Sequence, residues 1–330
     1  MNLFQRYLVE EFAEDYQEGH ISRREALKLI SGVVGSLVVA NTILAACALL
    51  EAAAPETAAP QAASTQAAQS PSDTPTAGNT PAETPTDQPP TTPTTASSTA
   101  LPEAGDIEFP GEGATLLGYQ ARPAGAGPFP LILVCHENRG LTGHIQDVTR
   151  RLADAGYAAL AVDLLSRRGG VGAFSSDQVP GALGNTDPGQ FVQDFLSGWR
   201  YLQMQPYAQA ERVGMVGFCF GGGVTWLMAT HMPELKAAVP FYGPHPPVAD
   251  VPNIQAAVLG IYAGNDQRIN QGIPAIEEAM LANNKIYEKV IYPNTDHAFH
   301  NDTGTRYNAE AAQDAWQRTL GWFERYVKQG

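Results

Sequence analysis

The sequence predicts an α/β fold, with a mostly parallel central sheet flanked by helices, confined to residues 106–330. Two observations carry this. After Leu101, short apolar runs rich in Val, Ile, Leu and Ala alternate with longer stretches of helical periodicity, the pattern of strands buried on both faces by crossover helices. Before that point, Glu51 to Ala100 is dominated by Ala, Pro, Thr, Ser and Gln and holds no aromatic residue, too little apolar surface to support a core.

Taken in order, the N-terminus reads as an address. Ser22-Arg23-Arg24-Glu25-Ala26-Leu27-Lys28 precedes an apolar stretch from Leu29 to Ala46 and resembles a twin-arginine export signal. The stretch closes on Leu44-Ala45-Ala46-Cys47, similar to a lipobox, so Cys47 is the expected lipidation site and residues 1–47 a lipoprotein-type signal. Because Ala48, Leu49 and Leu50 prolong the apolar run, an uncleaved membrane-spanning helix is the other reading. In both, Arg23, Arg24 and Lys28 stay inside and the rest of the chain sits outside the cytoplasm, tethered to a membrane at the cell surface. Residues 48–105 are expected to be a Pro-stiffened stalk.

In the folded part, strands are expected at Thr115 to Ala121, Leu131 to Cys135, Ala158 to Val162, Val213 to Val216, Ala237 to Phe241, Ala257 to Tyr262 and Lys289 to Tyr292. Helical periodicity covers His144 to Ala155, Gly189 to Gln203, Gly222 to His231, Ile273 to Asn283 and Ala309 to Val327. In the last of these, Trp316, Leu320, Phe323 and Val327 form a core-facing stripe.

Charge and cysteine usage exclude several function classes. The chain carries a net −14, and residues 101–330 alone hold 16 Lys/Arg against 23 Asp/Glu, which argues against a nucleic-acid partner. Three cysteines are too few for a disulfide framework and show no zinc spacing. Neither a metal nor an organic cofactor is expected.

The strongest local signal is Val213-Gly214-Met215-Val216 running into Gly217-Phe218-Cys219-Phe220-Gly221-Gly222-Gly223 and then an apolar helix. Strand, tight turn and helix are the setting of a nucleophile elbow, with Cys219 in the place more often held by Ser. Gly217 and Gly221 stand where side chains would clash with strand and helix. A sulfur at a helix N-terminus also gains from the N–H groups and the dipole, which favour its thiolate. The bland alternative is a Cys that serves as a small buried hydrophobe.

Together with Cys135-His136-Glu137-Asn138-Arg139-Gly140, Ala159 to Leu164, and the late Asp and His, this run resembles the dienelactone hydrolase (carboxymethylenebutenolidase) family over residues 106–330. The resemblance implies an α/β-hydrolase fold and hydrolysis of a small-molecule ester or lactone. In α/β-hydrolases an acid and then a His follow the nucleophile. Asp266, in Ala263-Gly264-Asn265-Asp266 just past a predicted strand, fits the acid better than Asp250. His297, in Tyr292-Pro293-Asn294-Thr295-Asp296-His297-Ala298-Phe299, fits the base, with His300 as its rival. By the same resemblance Glu137 helps generate the thiolate, the bland reading being a pair with Arg139, and the backbone N–H groups of Phe220 and Asn138 form an oxyanion hole.

The resemblance has gaps. Family members that bind dienelactone hold its carboxylate with arginines, one a few residues past the catalytic His, yet His297-Ala298-Phe299-His300-Asn301 contains none. The other arginine would lie between Asp163 and the following helix, where Arg167 and Arg168 come early and fix no alignment, so a neutral ester or lactone is as much expected as a dienelactone. A surface-anchored binding protein on the same scaffold, without turnover, is the alternative function. Cys135 closes a strand expected beside the elbow, so a Cys135–Cys219 disulfide is a further regulatory reading.

Overall fold

A computed structural model describes residues 1–52 and 103–330, the side chains of 47–52 excepted. The expected stalk therefore lies almost wholly outside the described residues, as does the Cys47 side chain. One sheet is built from β1 (Glu103–Gly111), β2 (Ala114–Arg122), β3 (Phe129–Cys135), β4 (Ala158–Val162), β5 (Ala208–Phe218), β6 (Ala237–Phe241), β7 (Ala257–Ala263) and β8 (Tyr287–Tyr292). Their spatial order is β1-β2-β4-β3-β5-β6-β7-β8. β1 pairs antiparallel with β2 and β2 with β4, and every pairing from β4 to β8 is parallel.

Strands β4, β6 and β7 are buried at every position, which is why their sequences read as continuous apolar runs. β1 is the strand that the sequence pattern missed. It pairs from Glu103↔Arg122 to Gly111↔Ala114, and the turn places Gly113 at φ 69°, where a glycine is unstrained. As an edge strand it hides little more than Phe109, so Glu103, Asp106 and Glu108 mask its pattern. This strand starts at Glu103.

The helices that cover the sheet are α4 (Gly143–Asp154), α5 (Val179–Gly184), α6 (Pro188–Gln203), α7 (Phe220–His231), α8 (Gln267–Asn270), α9 (Ile273–Ala282) and α10 (Ala309–Phe323). On α10 the buried face is Ala312, Ala315, Thr319, Trp322 and Phe323, whereas Trp316 and Leu320 are half-buried. Trp322 Nε1 donates to Ala257 O at 3.1 Å and ties this helix to β7.

The residues before 47 are mostly helical, and the first two of their three helices pack on the domain. They form α1′ (Leu3–Gln17), α2′ (Arg23–Val34) and the start of α3′ (Leu37–Ala52), primed because they precede the sheet. An Asn2 capping box opens α1′. Gly35, left-handed at φ 72°, ends α2′ and so breaks the expected apolar stretch in two. Gly32 of α2′ lies so near α5 that a Cβ on Gly181 would sit 2.8 Å from Gly32 O. Asn185 Nδ2 donates to the same oxygen at 3.0 Å, and Lys28 pairs with Asp177 at 2.8 Å. Leu37, Val38 and Val39 of α3′ are exposed. Among the described residues no helix is long and apolar enough to cross a membrane.

Candidate active site

Cys219 stands between the end of β5 and the start of α7 at φ 59°, ψ −120°, a conformation outside the regions open to most L-residues. The glycines explain how the turn closes. A Cβ on Gly217 would lie 2.1 Å from Gly221 O, and one on Gly221 would lie 2.5 Å from the carbonyl oxygens of both Cys135 and His136. Cys219 N–H donates to Phe241 O at 3.0 Å, which fixes the elbow against β6. Phe220 is the first residue of α7, so its N–H has no acceptor within the helix. Asn138 follows β3 and is buried; these are the two residues expected to supply oxyanion donors.

The expected acid and base meet. Asp266 caps α8, accepting from Ile269 N–H at 3.2 Å through Oδ1, while its Oδ2 lies 2.6 Å from His297 Nδ1. Both side chains are buried. Burial by itself would raise the Asp266 pKa, but the imidazole's charge and hydrogen bond, with Arg268 behind them, hold it below the usual carboxyl value. Burial disfavours a charged His297, and the Asp266 carboxylate more than offsets this, so its pKa stands well above the ordinary imidazole value.

The thiol behaves differently from the sequence expectation. Burial pushes the Cys219 pKa up and the charge of Glu11 adds to it, while a hydrogen bond with His297 opposes them without reversing the sign. In this closed arrangement the surroundings of the sulfur favour the thiol over the thiolate. Glu137 is also buried and lifted, mainly by burial. Its carboxylate accepts from Asn301 Nδ2 at 2.6 Å, so its partner is Asn301 rather than Arg139. Cys135 and Cys219 are both free thiols.

His300, the rival base, is held elsewhere. It stacks on Phe218 with centroids 4.9 Å apart, and burial depresses its pKa to about 3. Ala298, at φ 66°, turns the loop between the two imidazoles. Arg167 pairs with buried Asp194 at 2.9 Å and Arg168 lies over the Phe174 ring; neither lines the cavity at Cys219. That cavity, of about 370 Å³, is bounded by Glu137, Asn138, Arg139, Cys219, His297 and Arg306 among others. Cations are thus present, with Arg306 reaching in from farther along the His297 loop than the sequence pattern suggested.

Two functional contacts come from a segment read only as an address. Tyr7 Oη lies 3.2 Å from Cys219 Sγ and 3.2 Å from His297 Nε2. Glu11 Oε1 lies 3.6 Å from the same sulfur and accepts from Asn138 Nδ2 at 3.0 Å. The signal for α1′ was in the sequence, since Phe4, Leu8 and Phe12 recur at helical spacing with Tyr7 and Glu11 beside them. Glu11, Cys219 and His297 also bring three ligand-type atoms within 4.8 Å of one another, and Asp15, Glu18 and His20 do the same at the surface. A thiophilic ion such as zinc on the first set would occupy the thiolate and the imidazole together.

A mostly parallel sheet flanked by helices, with a strained residue between β5 and α7 and an Asp–His pair carried on later loops, is the architecture of the α/β-hydrolase fold. The sequence profile of the dienelactone hydrolase family matches residues 116–327. A Methylorubrum extorquens protein assigned as a carboxymethylenebutenolidase is 39% identical over 236 residues, covering 68% of this chain and 81% of that one. One from Escherichia coli K12 is 35% identical over 239 residues, covering 68% and 87%. The crystal structure of a Klebsiella pneumoniae protein assigned as a dienelactone hydrolase has a TM-score of 0.65 at 34% identity, covering 69% of this chain and all of that one. The chain belongs to the dienelactone hydrolase family, and with it to the hydrolases of carboxylic-ester type.

Proposed function

We propose that the chain hydrolyses a small-molecule ester or lactone by covalent catalysis, with Cys219 as nucleophile, His297 as general base and Asp266 as its orienting acid. The supporting observation is the buried Asp266–His297 contact of 2.6 Å, which fixes Nδ1 and leaves Nε2 for the thiol. His297 Nε2 takes the Cys219 proton as the sulfur attacks the carbonyl carbon. The Phe220 and Asn138 backbone N–H groups receive the oxyanion. Collapse of the tetrahedral adduct breaks the C–O bond, and the leaving alkoxide takes the proton from His297. Water, deprotonated at the same imidazole, then cleaves the thioester to release the acid and restore the thiol. Glu137, on the wall of the same cavity, helps generate the thiolate when substrate arrives by taking up a proton, since its charge alone opposes a charged sulfur. Arg306, on the cavity wall, suits a substrate that carries a carboxylate.

The full chain incubated with p-nitrophenyl acetate tests this. Cys219→Ala is expected to lower hydrolysis by roughly three orders of magnitude or more with the unfolding midpoint little changed. Hydrolysis at the parent rate in that variant would refute the assignment. The N-terminal sequence supports the further proposal that the protein is exported and held at the membrane surface through Cys47 or its apolar helix. Recovery of a Cys47→Ser chain in the same membrane fraction as the parent would exclude the lipid anchor.

A further inference from the structure

Helix α1′ lies outside the stretch that matches the family, yet its side chains fill the reacting end of the cleft. Tyr7 Oη, within 3.2 Å of both Cys219 Sγ and His297 Nε2, occupies the space through which a leaving-group oxygen or a hydrolytic water must pass. One turn later the Glu11 carboxylate closes over the same sulfur and occupies the Asn138 side chain. Cys219 is left 3% exposed. A tyrosine hydroxyl alone beside nucleophile and base could serve as a proton relay. A carboxylate 3.6 Å from the sulfur opposes the thiolate that the reaction needs, so the pair obstructs rather than assists.

The helix is held from several sides. Phe4 packs on Phe220 and Phe191 with centroids 4.8 and 5.5 Å apart. The Arg268 guanidinium lies over the Tyr7 ring at 4.6 Å and pairs with Glu14 at 2.9 Å. Asp15 pairs with Arg306 at 2.8 Å, so the cation on the cavity wall is engaged by the helix as well. We propose that α1′ is an intramolecular plug, which keeps the hydrolase closed before export, while residues 1–46 and the folded domain share one compartment, and must leave for an ester to reach Cys219. Activity is then that of the open form multiplied by its population. The inference rests on the reading of Cys219 as nucleophile.

The test uses the full chain carrying Cys47→Ser, with two readouts: alkylation of Cys219 by iodoacetamide, followed by peptide mass analysis, and kcat/KM for p-nitrophenyl acetate. Glu14→Lys with Asp15→Lys sets like charges against Arg268 and Arg306, and is expected to raise both rates about tenfold or more by shifting the population toward the open form. Tyr7→Ala should raise both as well, and Tyr7→Phe, which keeps the ring and loses the hydroxyl, should not lower hydrolysis. Unchanged alkylation in both the charge-reversal and Tyr7→Ala chains would overturn the plug. So would faster alkylation with hydrolysis below the parent rate, because Tyr7 would then be a participant in the chemistry. Faster alkylation with no hydrolysis in any chain, the parent included, would uphold the plug and overturn the hydrolase reading.

Discussion

The Asp266–His297 contact sets both a rate and a pH window. Asp266→Asn removes the carboxylate that orients Nδ1 and is expected to lower kcat/KM by roughly four orders of magnitude, as when an amide imposes the wrong tautomer. Its effect on stability follows from the two shifts. The raised His297 contributes stability that is full below the unfolded histidine pKa and lost as pH rises through its folded value. The lowered Asp266 contributes stability that is full above the unfolded carboxyl pKa and lost as pH falls through its folded value. Urea denaturation should therefore show the largest gap between parent and variant at about pH 5–6, between the ordinary Asp and His values, narrowing on either side. Gly217 is constrained more simply. A methyl there would lie 2.1 Å from Gly221 O, so Gly217→Ala should cost about 3 kcal/mol or more, read as a fall in the denaturation midpoint.

Among the elements, the loop after β4 is anchored by an ion pair of unequal burial, with Arg167 22% and Asp194 0% exposed at 2.9 Å. Burial raises the Asp194 carboxyl while Arg167 counters it. Arg167→Met would strand the carboxylate and should destabilise the fold by about 3 kcal/mol at neutral pH. A carboxyl whose folded pKa is raised costs stability above that pKa, so this deficit should shrink as the urea midpoint is measured at more acidic pH. What the sequence disclosed of such elements followed burial. β4 and β6 match their predicted limits because Ala158–Val162 and Ala237–Phe241 are buried on both faces, and the elbow was legible because its glycines answer to backbone collisions. β1 was hidden because one covered face leaves no continuous apolar run. The Arg306 approach, the Asn301 partner of Glu137 and the separation of His297 from His300 depend on the path of a loop, and loop paths are set by tertiary contacts rather than by residue spacing. Helix α1′ was legible as an amphipathic pattern, but no local rule says against which surface such a pattern will rest.

For the molecule as a whole, the parallel strands at the centre and the docked N-terminal helices should differ in how readily they open. β3, β5 and β6 are joined through extended parallel registers deep in the core, whereas α1′ and α2′ rest on one face through a few aromatic contacts, ion pairs and a close glycine contact. Amides of β3, β5 and β6 are expected to exchange with solvent at rates set by global unfolding, and those of α1′ and α2′ by a cheaper local opening. Glu14→Lys should accelerate exchange in α1′ and leave the strands unchanged; equal protection of helix and strands in the parent would show that they open as one unit.

The helix that crosses the cleft and the sheet that forms it belong to one polypeptide, with residues 18–102 between them. Their encounter is first-order, governed by an effective concentration on the order of millimolar for two tethered modules, so dilution does not relieve it. Scission anywhere in that interval, Ala46–Cys47 included, would convert it to a bimolecular encounter that dilution dissolves. A detached peptide of residues 1–34 would then have to be supplied at about millimolar concentration to restore what the intact chain achieves at any concentration.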